Sequence, residues 1–359
     1  MKTFVVGLLS LLTLLQAESL REYAHSKGLR SIPKDFAQLK HEVEEPDNKM
    51  SRDKIILGKK LFFDKNLSYD RTIACAKCHK LEKGGVDGKP TAIGYKDQEN
   101  PAHLNSPTVL NTAYSKHLFW DGRAKSLSEQ AGGPIQALFE MASTPALVVA
   151  RVKENLEYEE LFRQAYDKNE SINFENITKA IAVYEKTLVT RGAYDEYLDG
   201  DDNALSSSAK DGLKLFINLG CKACHFGPAV GGRMIQKFPL REYNSILSIT
   251  SRFDEAKNSR SVDEVAFNTA MQHEFPFSNT GGFMGKDGAK KFRVPILRNI
   301  SKTAPYFHNG MVKTLREAIK IMAKYQVGVN LTPNQLDNLE AFLKSLDGKL
   351  VEYKIRDEK

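Results

Sequence analysis

The sequence is poor in the features that would make it a membrane or a sheet protein. Beyond Ala17 no apolar run is long enough to cross a bilayer, so no transmembrane span is expected in the mature chain. No run of alternating apolar and polar residues is long enough for a large sheet. Charge of one sign is scarce as well: the net charge is +7 over 359 residues, which gives no reason to expect a nucleic-acid partner. A charged fraction of 27% beside 41% hydrophobic residues excludes disorder and allows one or two sizeable cores. Tryptophan occurs once, at Trp120, and cysteine four times.

The N-terminus reads as a secretory signal over residues 1–17. Lys2 supplies the positive charge, residues 4–15 the apolar run, and Ala17 the small residue before the cut. The run is short for a transmembrane helix, and an uncleaved anchor is the competing reading. Export places the mature protein in the periplasm.

None of the cysteines is left over. They form Cys75-Ala76-Lys77-Cys78-His79 and Cys221-Lys222-Ala223-Cys224-His225, each a C-x-x-C-H. That is the attachment pattern of c-type haem. Two thiols three positions apart can each add to one vinyl group, and the adjoining histidine turns its ring to the iron. A disulfide framework or a four-thiolate zinc site would also use paired cysteines. Neither explains a histidine directly after both pairs. The four propionates of two covalent haems would offset most of the chain's positive charge.

Similar surroundings of the two motifs imply an internal repeat. Ser51 precedes Ile55, Leu57, Leu61 and Phe62, and Ser208 precedes Leu213, Leu215 and Phe216; in both, a serine can cap an amphipathic helix that leads into the motif. A small cytochrome c fold begins in this way and closes with a second helix. Thr332-Pro333 starts one such helix, with Leu336, Leu339, Phe342, Leu343 and Leu346 on one face. Residues 176–188 supply the counterpart through Ile177, Ile181, Tyr184 and Leu188. The expected fold is mainly α: two cytochrome c-like haem domains in tandem, 18–190 and 191–359, divided near the polar stretch 191–202. Residues 243–291 are polar and weakly periodic, and read as a long irregular excursion of the second domain, a lid or docking surface.

Further stretches carry a resemblance. They are Leu57-Gly58-Lys59-Lys60-Leu61-Phe62-Phe63-Asp64, Asn105-Ser106-Pro107-Thr108-Val109-Leu110-Asn111, Phe119-Trp120-Asp121-Gly122-Arg123-Ala124, Gly133-Pro134-Ile135-Gln136 and Glu140-Met141. Thr303-Ala304-Pro305-Tyr306-Phe307-His308-Asn309-Gly310 and Ala318-Ile319-Lys320-Ile321-Met322 follow in the second half. In this order they resemble the bacterial di-haem cytochrome c peroxidases over nearly all of the mature chain.

The resemblance implies reduction of hydrogen peroxide at the N-terminal haem, with electrons from a small periplasmic cytochrome c entering at the C-terminal one. It makes His79 the proximal ligand of the first iron, and His225 with Met322 the ligands of the second, where a thioether raises the potential. On the residues alone Met322 could be an ordinary core methionine, and Met311 is the fallback ligand. Glu140 matches the catalytic glutamate, Gln130 a distal glutamine that hydrogen-bonds peroxide, and Trp120 a residue between the haems. Asn105, Thr303 and Pro305 match a calcium site of amide and carbonyl oxygens. Family members often pair, so the resemblance allows a homodimer. One departure matters: Tyr95 stands where well-known members carry a distal histidine that plugs the peroxidatic iron, and His103 follows a few residues on. The iron is open, Tyr95 ligates it, or His103 plugs it; we expect an open or loosely held site. Rivals are a MauG-type oxidase of a protein substrate, which carries tyrosine at the position of Met322, and a di-haem electron carrier with no use for Glu140.

Overall fold

Helix caps set the elements. The computed structural model describes residues 19–166, 172–240 and 279–355, so the signal segment and most of the 243–291 excursion lie outside the described residues. Among these, twelve α-helices carry the architecture: α1 (Leu20–Ser26), α2 (Phe36–Val43), α3 (Arg52–Phe63), α4 (Cys75–Cys78), α5 (Leu127–Gln136), α6 (Pro145–Lys153), α7 (Leu156–Ala165), α8 (Phe174–Lys186), α9 (Ala193–Leu198), α10 (Ser207–Asn218), α11 (Leu315–Met322) and α12 (Pro333–Ser345). Ser51 caps α3 by accepting from the Lys54 amide, Asn173 caps α8, and Thr332 closes a reciprocal capping box with Gln335 ahead of Pro333. The cap of α10 is Ser206, two residues before the expected Ser208. Ser208 lies inside the first turn instead, where packing on α12 lets its hydroxyl donate to Asn338 Oδ1 at 2.6 Å.

Two helix pairs build two cores. Leu57, Leu61 and Phe62 of α3 bury against Ile177, Ile181 and Tyr184 of α8, and Leu213 and Phe216 of α10 against Leu339 and Phe342 of α12. A glycine makes each crossing close. A Cβ on Gly58 would stand 1.9 Å from the Ala180 carbonyl oxygen, and one on Gly212 would stand 1.9 Å from that of Asn338. The repeat foreseen around the haem motifs is thus built by equivalent crossings.

The first and last described segments cross between the units. Ala24 of α1 and Leu29 pack in the second core, while Val351, Tyr353 and Ile355 pack on the first. Strand β1 (Thr190–Gly192) pairs antiparallel with β4 (Gly348–Leu350), Arg191 opposite Lys349; β2 (Ile235–Lys237) pairs likewise with β3 (Lys291–Arg293). The stretch 191–202 is structured. It contains α9, whose Asp195 is fully buried and bidentate to the fully buried Arg298 at 2.7 and 2.8 Å. Asp195 also accepts from the Ile32 amide, so the pair ties the N-terminal segment to the second unit.

Candidate active site: two cavities and the wall between them

Each cysteine motif winds into a single turn. α4 closes with the His79 amide on the Cys75 carbonyl, and a 3-10 turn at Cys221–Ala223 ends with His225 on Cys221, both at 3.0 Å. Cys75, Cys78 and His79 then line one cavity of about 260 Å³, and Cys221, Cys224 and His225 another of about 530 Å³. All four thiols are free, and the two pairs open into different cavities. Thiols on different cavities can neither share one zinc ion nor bridge the two motifs, which removes the four-thiolate zinc reading and any disulfide between the pairs. Burial raises the thiol of Cys78 to about 11 and that of Cys221 to about 11, so both stay protonated until they react.

The histidines suit an iron. The ring Nδ1 of His79 lies 3.2 Å from the Gly85 carbonyl; as a donor there it leaves Nε2 as the free lone pair. Burial lowers the pKa of His79, and takes that of His225 down to about 4 against the pull of the Val230 and Pro295 carbonyls. Both are neutral at physiological pH, as a metal ligand must be. Thiol pair, neutral imidazole and adjoining cavity fit a covalent haem in each unit.

The N-terminal cavity is lined by polar and ionisable side chains. Gln130 of α5 and Glu140, in the turn after it, both line it, with Arg123 nearby. Burial raises the carboxyl of Glu140, and Arg123 opposes this. Gly94 allows the arrangement: a Cβ there would meet the Phe139 carbonyl oxygen at 2.1 Å, so only glycine lets the 92–98 loop lie on this turn, where the Tyr95 amide donates to the Glu140 carbonyl at 2.8 Å. Ala92, Ile93 and Gly94 line the cavity, and the side chains of Tyr95 and His103 do not. The Tyr95 ring packs edge-on against Tyr69 at 5.8 Å, and His103 stands half-exposed, 3.6 Å from Glu99. Phe283, from the described end of the excursion, reaches over to line the same cavity.

Met322 lines the C-terminal cavity with His225, at the end of α11 where the helix widens into a π-turn over Ala323–Val327. Met311 is 46% exposed and lies outside it. Asn105, Thr303 and Pro305 also line this cavity.

Both cavities share a wall of Asn105, Ser106, Pro107, Thr108, Trp120 and Arg293. The wall is a second repeat that the sequence reading missed. Asn105-Ser106-Pro107 through Asn111 aligns with Arg293-Val294-Pro295 through Asn299, and Phe119-Trp120-Asp121-Gly122 with Phe307-His308-Asn309-Gly310, at identical spacing. Backbone geometry agrees: φ is 62° at Asn111 and 60° at Asn299, 63° at Phe119 and 68° at Phe307. The repeats exchange hydrogen bonds reciprocally, the Asn105 amide donating to the His308 carbonyl at 2.8 Å and the Arg293 amide to the Trp120 carbonyl at 2.7 Å. Trp120 donates its indole N–H to the Asn105 carbonyl at 2.8 Å, and its ring stands edge-on to His308 at 6.3 Å. Glu185 of α8, 4% exposed with Oε2 unpartnered among the described residues, is a further cavity residue that nothing in its sequence context announced.

Residues 52–203 match the family model of the di-haem cytochrome c peroxidases. The chain is 39% identical over 346 residues to a cytochrome c551 peroxidase of Pseudomonas aeruginosa, covering 95% of this chain and 90% of that protein. It is 32% identical to the methylamine utilization protein MauG of Methylophilus methylotrophus, covering 84% of each. Among solved structures, a MauG-like protein associated with microbial copper homeostasis superposes with a TM-score of 0.67 at 25% identity, over 90% of this chain and 94% of that one. The di-haem peroxidase BthA of Burkholderia thailandensis shares the fold, with a TM-score of 0.60 at 20% identity over 85% and 88%. Two cysteine–histidine motifs in paired helical units, with this extent of similarity, make the chain a member of the di-haem cytochrome c peroxidase family.

Proposed function

We propose that this protein reduces hydrogen peroxide to water in the periplasm, drawing two electrons from a small cytochrome c and two protons from solvent for each peroxide. The observation that carries the reading is the difference in lining between the cavities: Glu140 and Gln130 stand with the first motif, Met322 with the second. When bound, the haems supply the redox chemistry, and the protein supplies ligands, proton path and spacing. His79 would hold the N-terminal haem; His225 and Met322 would hold the C-terminal one. Gln130 orients peroxide by its amide. Glu140 takes the proton from one peroxide oxygen and returns it to the other as it leaves, and its raised carboxyl suits a group that must both accept and donate. Trp120 bridges the wall between the two centres. Asn105, Thr303 and Pro305 would offer oxygens to a calcium ion there.

The N-terminal distal face is open in this reading, since neither Tyr95 nor His103 turns its side chain into the cavity. Reduction before peroxide binding is then unnecessary. The spectrum of the diferric holoprotein tests this: a high-spin component is expected, and two fully low-spin haems would refute it. Met322 favours a peroxidase over a MauG-type oxidase of protein substrates. The deciding assay is steady-state peroxide consumption with a reduced small cytochrome c. Turnover lost in Glu140→Ala supports the reading, and equal turnover in the variant and parent excludes it.

A further inference from the structure

The two halves of the shared wall differ by one charge. At the position where the first repeat has Asn105, the second has Arg293, only 2% exposed and lining both cavities. The amide of Asn105 is engaged, donating to the Lys89 carbonyl at 2.7 Å. The guanidinium of Arg293 is not: its Nε and Nη1 have no hydrogen-bond partner, and no carboxylate among the described residues offsets its charge. It stands 5.9 Å from the Trp120 ring, while its own amide is fixed on the Trp120 carbonyl. An uncompensated buried cation is strongly destabilising. Burial alone lowers its pKa to about 10, so it stays charged at physiological pH and needs an anion. A guanidinium fork matches a carboxylate, and the carboxylates a di-haem chain brings to these cavities are the haem propionates.

We propose that Arg293 holds a haem propionate at the wall between the cavities, and that its charge raises the reduction potential of the haem it touches. The inference rests on the two-haem reading. Arg293 is a positioning residue, acting on the reaction through the haem. A positive charge fixed beside the propionate favours holding the electron, so a reduced state is stabilised on the side it serves.

The test compares holoprotein carrying Arg293→Met, which keeps length without charge, with Arg293→Lys, which keeps charge without the fork. Haem content comes from the pyridine haemochrome, and the potentials of both haems from spectroelectrochemical titration. Covalent attachment should keep two haems per chain in each. Arg293→Met is expected to shift the electron equilibrium of at least one haem tenfold toward the oxidised form, about 59 mV for one electron, with much of the shift reversed in Arg293→Lys. Two haems with both potentials at the parent's values would overturn the assignment. A parent protein without haem would instead overturn the two-haem reading, so the two failures are distinguishable. Should Arg293→Met not fold, the propionate bending band in the resonance Raman spectrum of Arg293→Lys decides: it moves if Arg293 contacts the propionate, and an unmoved band refutes the contact. Added chloride or acetate should leave the parent potentials unchanged; potentials that follow the added salt would make the anion a diffusible one and sink the proposal.

Discussion

The two cavities are built on corresponding motifs and wall segments and differ in lining. The N-terminal one is about 260 Å³ and collects Glu140, Glu185, Gln130 and Arg123 around its motif. The C-terminal one is about 530 Å³, has no carboxylate among its described lining residues, and surrounds Met322 with Phe216, Leu315, Ile319, Leu339 and Leu343. Burial raises both carboxyls, which in the proposed reading suits a site that moves protons. In the same reading, an apolar lining with a thioether suits a site that keeps its ligands and stores an electron. On that reading the same backbone framework supports two chemistries, and the difference lies in a handful of side chains.

Glu140→Gln should break this contrast most. The amide keeps the shape and loses the proton transfer, so kcat is expected to fall by about 10²–10⁴-fold. The potential of the C-terminal haem should not move, since Glu140 lines only the other cavity. A loss smaller than tenfold in steady-state peroxide reduction would remove Glu140 from the proton path.

The next test concerns what the units still share. Gly58→Ala and Gly212→Ala each drive a methyl group to 1.9 Å from a carbonyl oxygen in the facing helix, where backbone has to give way. Each should cost about 1–3 kcal/mol or more, read as a lower melting temperature of the holoprotein. Equal losses would confirm that the two crossings are equivalent. A variant as stable as the parent would show that its crossing loosens without cost.

How far the sequence disclosed this site follows from how local each signal was. The motifs at Cys75 and Cys221, the caps at Ser51 and Thr332 and the apolar stripe from Leu336 to Leu346 are short-range patterns, and the structure forms all of them. Ser208 was misplaced as a cap because three serines in a row offer equivalent oxygens, and only packing on α12 selects Ser206. The alignment of Asn105 with Arg293 and Trp120 with His308 was present at identical spacing but hidden by dissimilar side chains. Only the reciprocal backbone bonds reveal it. Glu185 could not be found, because burial of one glutamate in a helix is decided by which face meets a cavity. Glu140 and Met322 entered through resemblance, and the structure puts each beside a different motif.

Glu185 sharpens the comparison through pH. Burial raises its carboxyl from 4.5 to about 8. Between these values the folded state holds a proton that the unfolded state releases, so stability should fall as pH rises from about 5 to 8 and then level off. Glu185→Gln removes that proton from the balance. Melting curves of the two holoproteins should therefore agree at pH 5 and separate at pH 8.5, with the variant more stable. Parallel pH profiles would mean that Glu185 has a partner in the holoprotein and ionises there normally.

The smallest effect separates glycines the fold requires from one it tolerates. Gly132 sits inside α5 at a helical φ, and a Cβ there would meet nothing nearer than the Phe174 ring at 3.5 Å, ordinary contact. Its neighbour Gly133 would place a Cβ 2.9 Å from the Phe119 ring, beside the Trp120 loop. Gly132→Ala should therefore gain about 0.5–1 kcal/mol from reduced unfolded-chain entropy, a rise of about one to three degrees in melting temperature. Gly133→Ala should gain nothing. Because α5 also carries Gln130, kcat in Gly132→Ala is the sensitive companion measurement. Unchanged turnover with higher stability means α5 presents Gln130 as a rigid element, and a stabilised variant with lower turnover would mean the N-terminal cavity works by letting this helix move.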